Sequence, residues 1–390
     1  MSRMERREFL SLSSCALCGV LLGAEARAQD RAPGTGAAPE GRAARRASDL
    51  SPDDPHVREA YWYESLEEGL IHCTTCPHEC RLPPGATGLC RSKVNLRGRH
   101  YTFAYGNPCA VHVDPVEKKP MMHFLPSTLT FSLAAAGCNM RCLNCQNWEI
   151  SQASPLETRN YDLPPRQVVA AARRYNCPSI SYTYSEPNAF YEYAVDTAEL
   201  AHAQGVRSVW VSAAYINPEP LARVAKAIHG ASMNLKVFDD RIYRELNGAS
   251  LQPVLDTLVS LKKAGVWLEV INLIVPTWTD DMEMIRRMCG WFVESLGPDT
   301  PLHFSRFTPR YKLVHLPPTP EEVLSQARDI ARGMGIRHVY VGNVPGLAEN
   351  TICHACGRVV IERRGYRVLR NSLEDGCCDS CGEAMAGVWS

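Results

Sequence analysis

The chain has 390 residues, of which 45% are hydrophobic and 22% charged, a balance typical of a folded chain with a sizeable core. Its 42 basic residues equal its 42 acidic residues, which excludes the broad positive surface of a general nucleic-acid binder. Beyond the N-terminus no apolar run is long enough for a membrane-spanning helix, and the P-loop and H-E-x-x-H motifs are absent. We therefore expect no nucleic-acid partner and no transmembrane segment in the mature chain.

Residues 1–28 have the pattern of a twin-arginine export signal. Arg6 and Arg7 precede a weakly apolar stretch, and the sequence ARA at 26–28 fits a cleavage site. This pattern predicts a periplasmic protein; the alternative is a basic N-terminus without a targeting role, on a cytoplasmic protein. Residues 29–58 are rich in Ala, Gly, Pro and Arg and poor in large apolar side chains, which predicts a flexible linker.

From residue 128 onwards, short apolar runs alternate with amphipathic helical stretches. Strands are predicted at 128–134, 179–184, 207–212, 232–237, 267–274, 301–306 and 337–341. Helices are predicted at 164–176, 188–204, 218–228, 251–264, 280–295 and 319–334. This alternation implies parallel strands joined by right-handed crossovers, and six crossovers favour an α/β fold with a partial (β/α)6 barrel. The functional residues of such barrels lie at the carboxyl ends of the strands.

Most of the 17 cysteines fall into three clusters, and the central cluster directly follows the first predicted barrel strand. Cys138, Cys142 and Cys145 have the spacing C-x-x-x-C-x-x-C, which suits a loop around one corner of a 4Fe–4S cluster. Three ligands leave the fourth iron open to a substrate or cofactor. The alternatives are unpaired core cysteines, or a zinc site completed by Cys109 or Cys177.

The chain resembles the radical S-adenosylmethionine (SAM) superfamily. Within it, the sequence is most similar to the AmmeMemoRadiSam radical SAM enzymes, relatives of the pyruvate formate-lyase (glycyl-radical) activating enzymes. The resemblance is carried by CTTCPHECRLPPGATGLC at 73–90, GCNMRCLNCQNWEISQ at 137–152, YTYSEPNAFYEY at 182–193, LKVFDDRIYRELNGASLQPVLDTL at 235–258, HFSRFTPRYKL at 303–313 and GNVPG at 342–346.

The resemblance implies an oxidoreductase-type enzyme with a radical SAM core at 121–345. SAM would bind the open iron, and one electron from a low-potential donor would cleave it to a 5′-deoxyadenosyl radical that abstracts a hydrogen atom. The substrate would be an unknown protein, activated in the manner of a glycyl-radical enzyme, or a small molecule or peptide. The remaining alternative is a non-catalytic iron–sulfur and zinc scaffold or electron carrier.

The resemblance also implies which residues contact SAM. Ser185 and Glu186 follow the second barrel strand, where the family binds the amino group of SAM; the alternative is a helix N-cap. Lys236 fits a partner of the SAM carboxylate, and Asn234 stands where similar enzymes have Asp. His303, on the sixth strand, is a candidate contact for SAM or substrate, and a salt-bridged barrel residue is the alternative.

The N-terminal module is predicted at 59–120 and contains Cys73, Cys76, Cys80 and Cys90. Their spacing, within a turn-rich stretch with little core, predicts a metal site. Zinc and a second 4Fe–4S cluster are both compatible with four cysteines, the Pro and Gly turns favour zinc slightly, and free thiols are the remaining alternative.

The C-terminal module, at 346–390, has the pattern of a zinc ribbon. Two C-x-x-C pairs, Cys353 with Cys356 and Cys378 with Cys381, flank a hairpin-like stretch, which predicts a tetrahedral structural zinc. Cys377 is adjacent to Cys378 and is the alternative ligand.

Overall fold

The computed structural model describes residues 46–390. The predicted signal at 1–28 and residues 29–45 of the predicted linker lie outside the described residues. None of the helices within the described part is long and apolar enough to cross a membrane.

The N-terminal part of the described chain forms two small antiparallel sheets. One joins β2 (Tyr63–Ser65), β3 (Ile71–Cys73) and β4 (Arg81–Leu82), and the other joins β1 (Arg58–Glu59), β6 (Arg99–Thr102) and β5 (Lys93–Leu96) in that order. The linker prediction is wrong for residues 46–58, because Leu50 and Val57 pack on Val94 and Phe103 and β1 pairs with β6. Even a few apolar side chains are enough to fix this segment on the module.

A single eight-stranded sheet forms the main body, with the order β14-β13-β12-β11-β10-β9-β8-β7. Seven of its strands, β8 to β14, are parallel, and β7 pairs with β8 in the antiparallel direction. The strands are β7 (Ala110–Pro115), β8 (Leu129–Ala134), β9 (Ser179–Tyr182), β10 (Arg207–Ser212), β11 (Gly230–Asn234), β12 (Trp267–Ile274), β13 (Leu302–Arg306) and β14 (Val339–Gly342).

Six helices connect the parallel strands, as the sequence predicts. They are α1 (Pro165–Arg174), α2 (Tyr191–Ala203), α3 (Pro218–Ala227), α4 (Leu251–Lys263), α5 (Met282–Leu296) and α6 (Glu321–Gly333). Shorter helical turns lie at Ala47–Asp49, Glu67–Gly69, Val116–Lys118, Trp148–Ser151, Asp240–Ile242, Tyr243–Asn247 and Tyr311–Leu313. The partial α/β barrel core is therefore confirmed. The sequence analysis did not predict β7, whose mixed polar sequence AVHVDP lacks a clear strand pattern.

The core lies on both faces of the sheet, which explains the nearly continuous apolar strands. On the outer face, the helices pack on side chains such as Phe304. On the inner face, Val209 and Trp267 contact the segment at 116–125 that follows β7, including Phe124. The C-terminal tail joins them, since Leu125 donates a backbone hydrogen bond of 2.7 Å to Val388.

The inner face is also crossed by a buried polar network centred on Glu269 of β12. Its carboxylate accepts hydrogen bonds from the backbone nitrogen of His123 at 2.8 Å and from Nε2 of His303 at 2.7 Å. His123 in turn contacts Tyr340 at 2.7 Å. The interior near the amino ends of these strands is thus filled, which leaves the carboxyl ends as the place where barrels of this kind hold their functional residues.

The C-terminal part forms a three-stranded sheet and a two-stranded ribbon. The sheet has the order β15 (Thr351–Ile352), β16 (Val359–Arg364), β17 (Arg367–Asn371), and the ribbon pairs β18 (Leu373–Glu374) with β19 (Cys377–Cys378). Its small core includes Val360 and Met385.

Candidate functional site

The central cysteine loop begins two residues after β8 ends. Gly137 adopts a φ of +110°, and a Cβ added there would lie 2.4 Å from the carbonyl oxygen of Cys90, so only glycine fits. Backbone hydrogen bonds join the loop to the turn before α4, from Arg141 to Asn247 at 2.8 Å and from Leu143 to Leu246 at 2.9 Å. The loop is therefore held between the N-terminal module and the segment after β11.

The three thiols of this loop do not form a tight set of the kind that holds one metal ion. Cys138 and Cys142 are buried and Cys145 is half-buried, yet their three sulfur atoms are not all within 4.8 Å of one another. Each cysteine of a 4Fe–4S cluster binds a different iron, which separates the sulfurs further than a single ion does. Asn247 donates a hydrogen bond of 3.3 Å from Nδ2 to Sγ of Cys142.

The electrostatics of the loop also fit a bound metal group. Burial raises the pKa of Cys145 to about 11, and the nearby Lys236 ammonium opposes part of that rise. Burial, together with the charges of Glu186 and Cys142, raises the pKa of Cys138 well above its usual value. Buried thiols of this kind become thiolate ligands when metal ions supply positive charge.

Glu186 lies at the carboxyl end of β9 and is only 2% exposed. Its carboxylate accepts hydrogen bonds from Ser212 Oγ at 2.7 Å, from the nitrogen of Ala213 at 2.8 Å and from the nitrogen of Asn188 at 3.2 Å. Burial raises its pKa, and these hydrogen bonds and the Lys236 charge oppose the rise. The neighbouring Ser185 donates to the carbonyl of Ala135 at 2.6 Å, so both predicted residues are tied to adjacent strand ends.

Lys236 and Asn234 lie at the carboxyl end of β11. Asn234 donates a hydrogen bond of 3.1 Å to the carbonyl oxygen of Ser212, which fixes its amide across the strand ends. Lys236 is half-buried, and within residues 46–390 its ammonium has no hydrogen-bond or ion-pair partner. Because its charge acts on both Cys145 and Glu186, the structure brings the cysteine loop, Glu186 and Lys236 together. An unpaired half-buried cation beside them suits an anionic ligand.

The structure does not bring His303 into this group. It is the second residue of β13, is 2% exposed, and forms a buried ion pair with Glu269 at 2.7 Å. Its ring also stacks on Tyr340 with a centroid separation of 5.1 Å. These contacts correspond to the salt-bridged alternative, because a side chain near the start of a strand faces the filled end of the barrel.

Two residues of the group were not singled out by the sequence analysis. Asn247 donates a hydrogen bond to Sγ of Cys142, and Tyr243 has a buried hydroxyl group. The charges of Cys142 and Glu186 both act on that hydroxyl. Both residues fall in the segment 235–258, which resembles the radical SAM superfamily. That resemblance could have marked them as site residues.

The two flanking cysteine sets are also assembled by the fold, with different spacings. Cys73, Cys76, Cys80 and Cys90 line one cavity. In the C-terminal module, the sulfur atoms of all four predicted cysteines lie within 4.8 Å of one another, and two pairs are 3.7 Å apart. Cys378 belongs to this set, whereas Sγ of Cys377 points to the carbonyl of Asp375.

Comparison with known proteins identifies the family. Residues 133–289, which include the central cysteine loop, match the model of the Radical SAM superfamily. The uncharacterized protein MJ0808 of Methanocaldococcus jannaschii is 43% identical over 333 residues, which cover 84% of this chain and 99% of that protein.

Solved structures give more distant likenesses. A domain of pyruvate-formate lyase-activating enzyme from Bacteroides vulgatus is 14% identical, with a TM-score of 0.36, over 42% of this chain and 98% of that domain. SuiB of Streptococcus suis bound to S-adenosylmethionine is 12% identical, with a TM-score of 0.44, over 58% of this chain and 53% of SuiB. The chain belongs to the radical SAM superfamily.

Proposed function

We propose that this protein is a radical SAM enzyme that holds a 4Fe–4S cluster through Cys138, Cys142 and Cys145 and binds SAM beside it. The observation that carries the proposal is that the Lys236 ammonium, which has no partner within residues 46–390, acts on a loop that offers three thiols. When bound and reduced, the cluster supplies one electron that cleaves SAM to methionine and a 5′-deoxyadenosyl radical, which abstracts a hydrogen atom.

The residues of the chain bind and orient these groups. Asn247 donates a hydrogen bond to the Cys142 sulfur and so helps to orient it. Lys236 would pair with the carboxylate of SAM, and Glu186 Oε2, which accepts only the hydrogen bond from Ala213, would have a lone pair left for the amino group of SAM. Asn234 holds the β10 and β11 ends in register beneath them. The filled amino end of the barrel keeps water from entering the site from below.

In this proposal, the substrate that loses a hydrogen atom to the radical is a separate molecule. The sequence similarity to activating enzymes of the pyruvate formate-lyase type favours a partner protein over a small molecule or peptide. A low-potential one-electron donor is the second partner that the reaction needs.

The cleavage reaction is tested with Cys142→Ala. We expect the anaerobically reconstituted wild type to form 5′-deoxyadenosine from SAM and dithionite, and the variant to fall to background because the cluster loses one of its three protein ligands. Cys289→Ala is the matched control, since Cys289 is a buried cysteine in α5 outside the site. Wild-type protein that carries the cluster and binds SAM without forming 5′-deoxyadenosine would contradict the proposal.

The role of Lys236 is tested with Lys236→Met, measured as the dissociation constant of SAM by calorimetry on the reconstituted protein. Loss of a charge-assisted hydrogen bond costs about 1.5–3 kcal/mol, which weakens binding by about 10- to 100-fold. The control is Lys226→Met, at an exposed position of α3. An unchanged dissociation constant at equal iron content would exclude Lys236 as the carboxylate partner.

We also propose that Cys353, Cys356, Cys378 and Cys381 bind one structural zinc ion. A zinc–sulfur bond of about 2.3 Å in a tetrahedron separates the sulfurs by about 3.8 Å, close to the 3.7 Å found here. Four thiolates close the coordination shell, so the metal supports folding rather than catalysis.

The zinc proposal predicts that Cys356→Ser lowers the zinc content by about one atom per chain and lowers the melting temperature, because the small core there depends on the metal. The control is Cys377→Ser, which removes the adjacent cysteine whose sulfur lies outside the set. Zinc content and thermal unfolding are measured on both variants. If Cys377→Ser loses the zinc and Cys356→Ser keeps it, the ligand assignment is wrong.

We further propose that residues 1–28 direct export to the periplasm by the twin-arginine route, supported by Arg6 and Arg7 and by the ARA pattern at 26–28. Fractionation of a tagged full chain is expected to recover it from the periplasm. Arg6→Lys with Arg7→Lys is expected to hold it in the cytoplasm. Equal cytoplasmic recovery of both chains would favour a cytoplasmic enzyme.

A further inference from the structure

We propose that Cys73, Cys76, Cys80 and Cys90 bind a second 4Fe–4S cluster, in a cavity that shares a wall with the central cysteine loop. This goes beyond the proposed function and does not rest on it. The sequence left zinc and a cluster open at this site, and the geometry of the cavity favours the cluster.

The fold directs all four cysteines into one cavity. Cys73 is the last residue of β3, Cys76 and Cys80 lie in the connection to β4, and Cys90 precedes β5. A backbone hydrogen bond of 3.0 Å from Cys73 to the carbonyl of Cys80 closes this connection into a loop. Four thiols that line one cavity form a complete ligand set for a cluster with no open iron.

The spacing of the sulfur atoms distinguishes a zinc site from a 4Fe–4S cluster site. No three of these four sulfurs lie within 4.8 Å of one another, although the sulfurs of the C-terminal set in the same chain do. Zinc needs four sulfurs about 3.8 Å apart. A 4Fe–4S cluster keeps its cysteines further apart, since each binds its own iron and inorganic sulfide fills the space between them. The wider arrangement is therefore suited to the cluster.

Buried polar groups in the cavity wall also point to an anionic occupant. His100 is fully buried, and neither of its ring nitrogens has a hydrogen-bond partner in the described chain. The Lys93 ammonium is buried as well and contacts Thr75 Oγ1 at 3.2 Å and Glu192 Oε1 at 2.8 Å. A cluster with four thiolates is negatively charged. The Lys93 charge is already paired with Glu192, so His100 is the group left to meet the cluster, with an N–H available to donate to sulfur.

This cavity lies against the loop of the first cluster. Asn139, the residue after Cys138, lines the cavity, and Nε2 of His78 contacts its carbonyl oxygen at 2.7 Å. Gly137 packs on the carbonyl of Cys90 with no room for a side chain. The two clusters would be close neighbours, and we expect their unpaired electrons to interact when both are reduced.

The first test is the metal content of the full chain after anaerobic reconstitution. With two 4Fe–4S clusters we expect about eight iron and eight sulfide per chain, and the zinc of the C-terminal module in addition. About four iron and two zinc per chain would overturn the inference, because the N-terminal cysteines would then hold zinc.

Two variants separate this inference from the proposed function. Replacing Cys138, Cys142 and Cys145 together by Ala is expected to leave about four iron per chain, held by the N-terminal set. Cys76→Ser with Cys80→Ser is expected to leave about four iron as well, held by the central loop. If the triple variant keeps no iron, the inference fails and the proposed function stands; if it keeps all of the iron of the wild type, the proposed function fails.

Electron paramagnetic resonance gives an independent readout. The reduced wild type is expected to show signals broadened by interaction between two clusters, and each set of variants to show one narrow signal. Should the N-terminal variant not fold, the triple variant alone decides, because a 4Fe–4S signal in it can arise only from another cysteine set. Absence of any such signal in a folded triple variant would contradict the inference.

Discussion

Two of the three cysteine thiols that follow β8, those of Cys138 and Cys145, ionise less readily than a free thiol, and the rest of the site is arranged around that constraint. Burial raises the pKa of Cys138 and of Cys145, and neighbouring thiols and Glu186 add to the cost of ionising Cys138. The Lys236 charge offsets part of the rise at Cys145, and bound iron would supply further positive charge to both thiols. Among residues 46–390 the same ammonium has no hydrogen-bond or ion-pair partner, so it is available to a ligand that carries a carboxylate.

The opposite end of the barrel is stabilised by a different buried charge. Burial by itself would raise the pKa of Glu269, but the hydrogen bond and charge of His303, together with His123, lower it below its usual value. This carboxylate connects β12 and β13 to the segment that fills the barrel and, through His123, to the C-terminal tail at Ala386. Filling one end of the barrel in this way restricts ligand access to the end where the cysteine loop lies.

The two flanking modules contact the core at different places. The N-terminal module meets the central cysteine loop directly, through His78 and the backbone of Cys90. The C-terminal module contacts the filled end, where Arg363 donates to the carbonyl of Met122 at 2.7 Å. A metal bound by the N-terminal cysteines would therefore adjoin the central cysteine loop, whereas a metal bound by the C-terminal cysteines would lie on the side of the filled end of the barrel.

The sequence by itself determined the alternation of strands and helices, and it predicted which cysteines are ligands, because apolar periodicity and C-x-x-C spacing are local properties of the chain. Only the tertiary structure decided that Glu186 is tied to the end of β10, that His303 pairs with Glu269, and that β7 completes the sheet. It also decided that two similar four-cysteine patterns have different sulfur spacings. Which way a side chain faces, and how far apart two sulfurs lie, depend on contacts between segments that are distant in the sequence, and no local pattern encodes those distances.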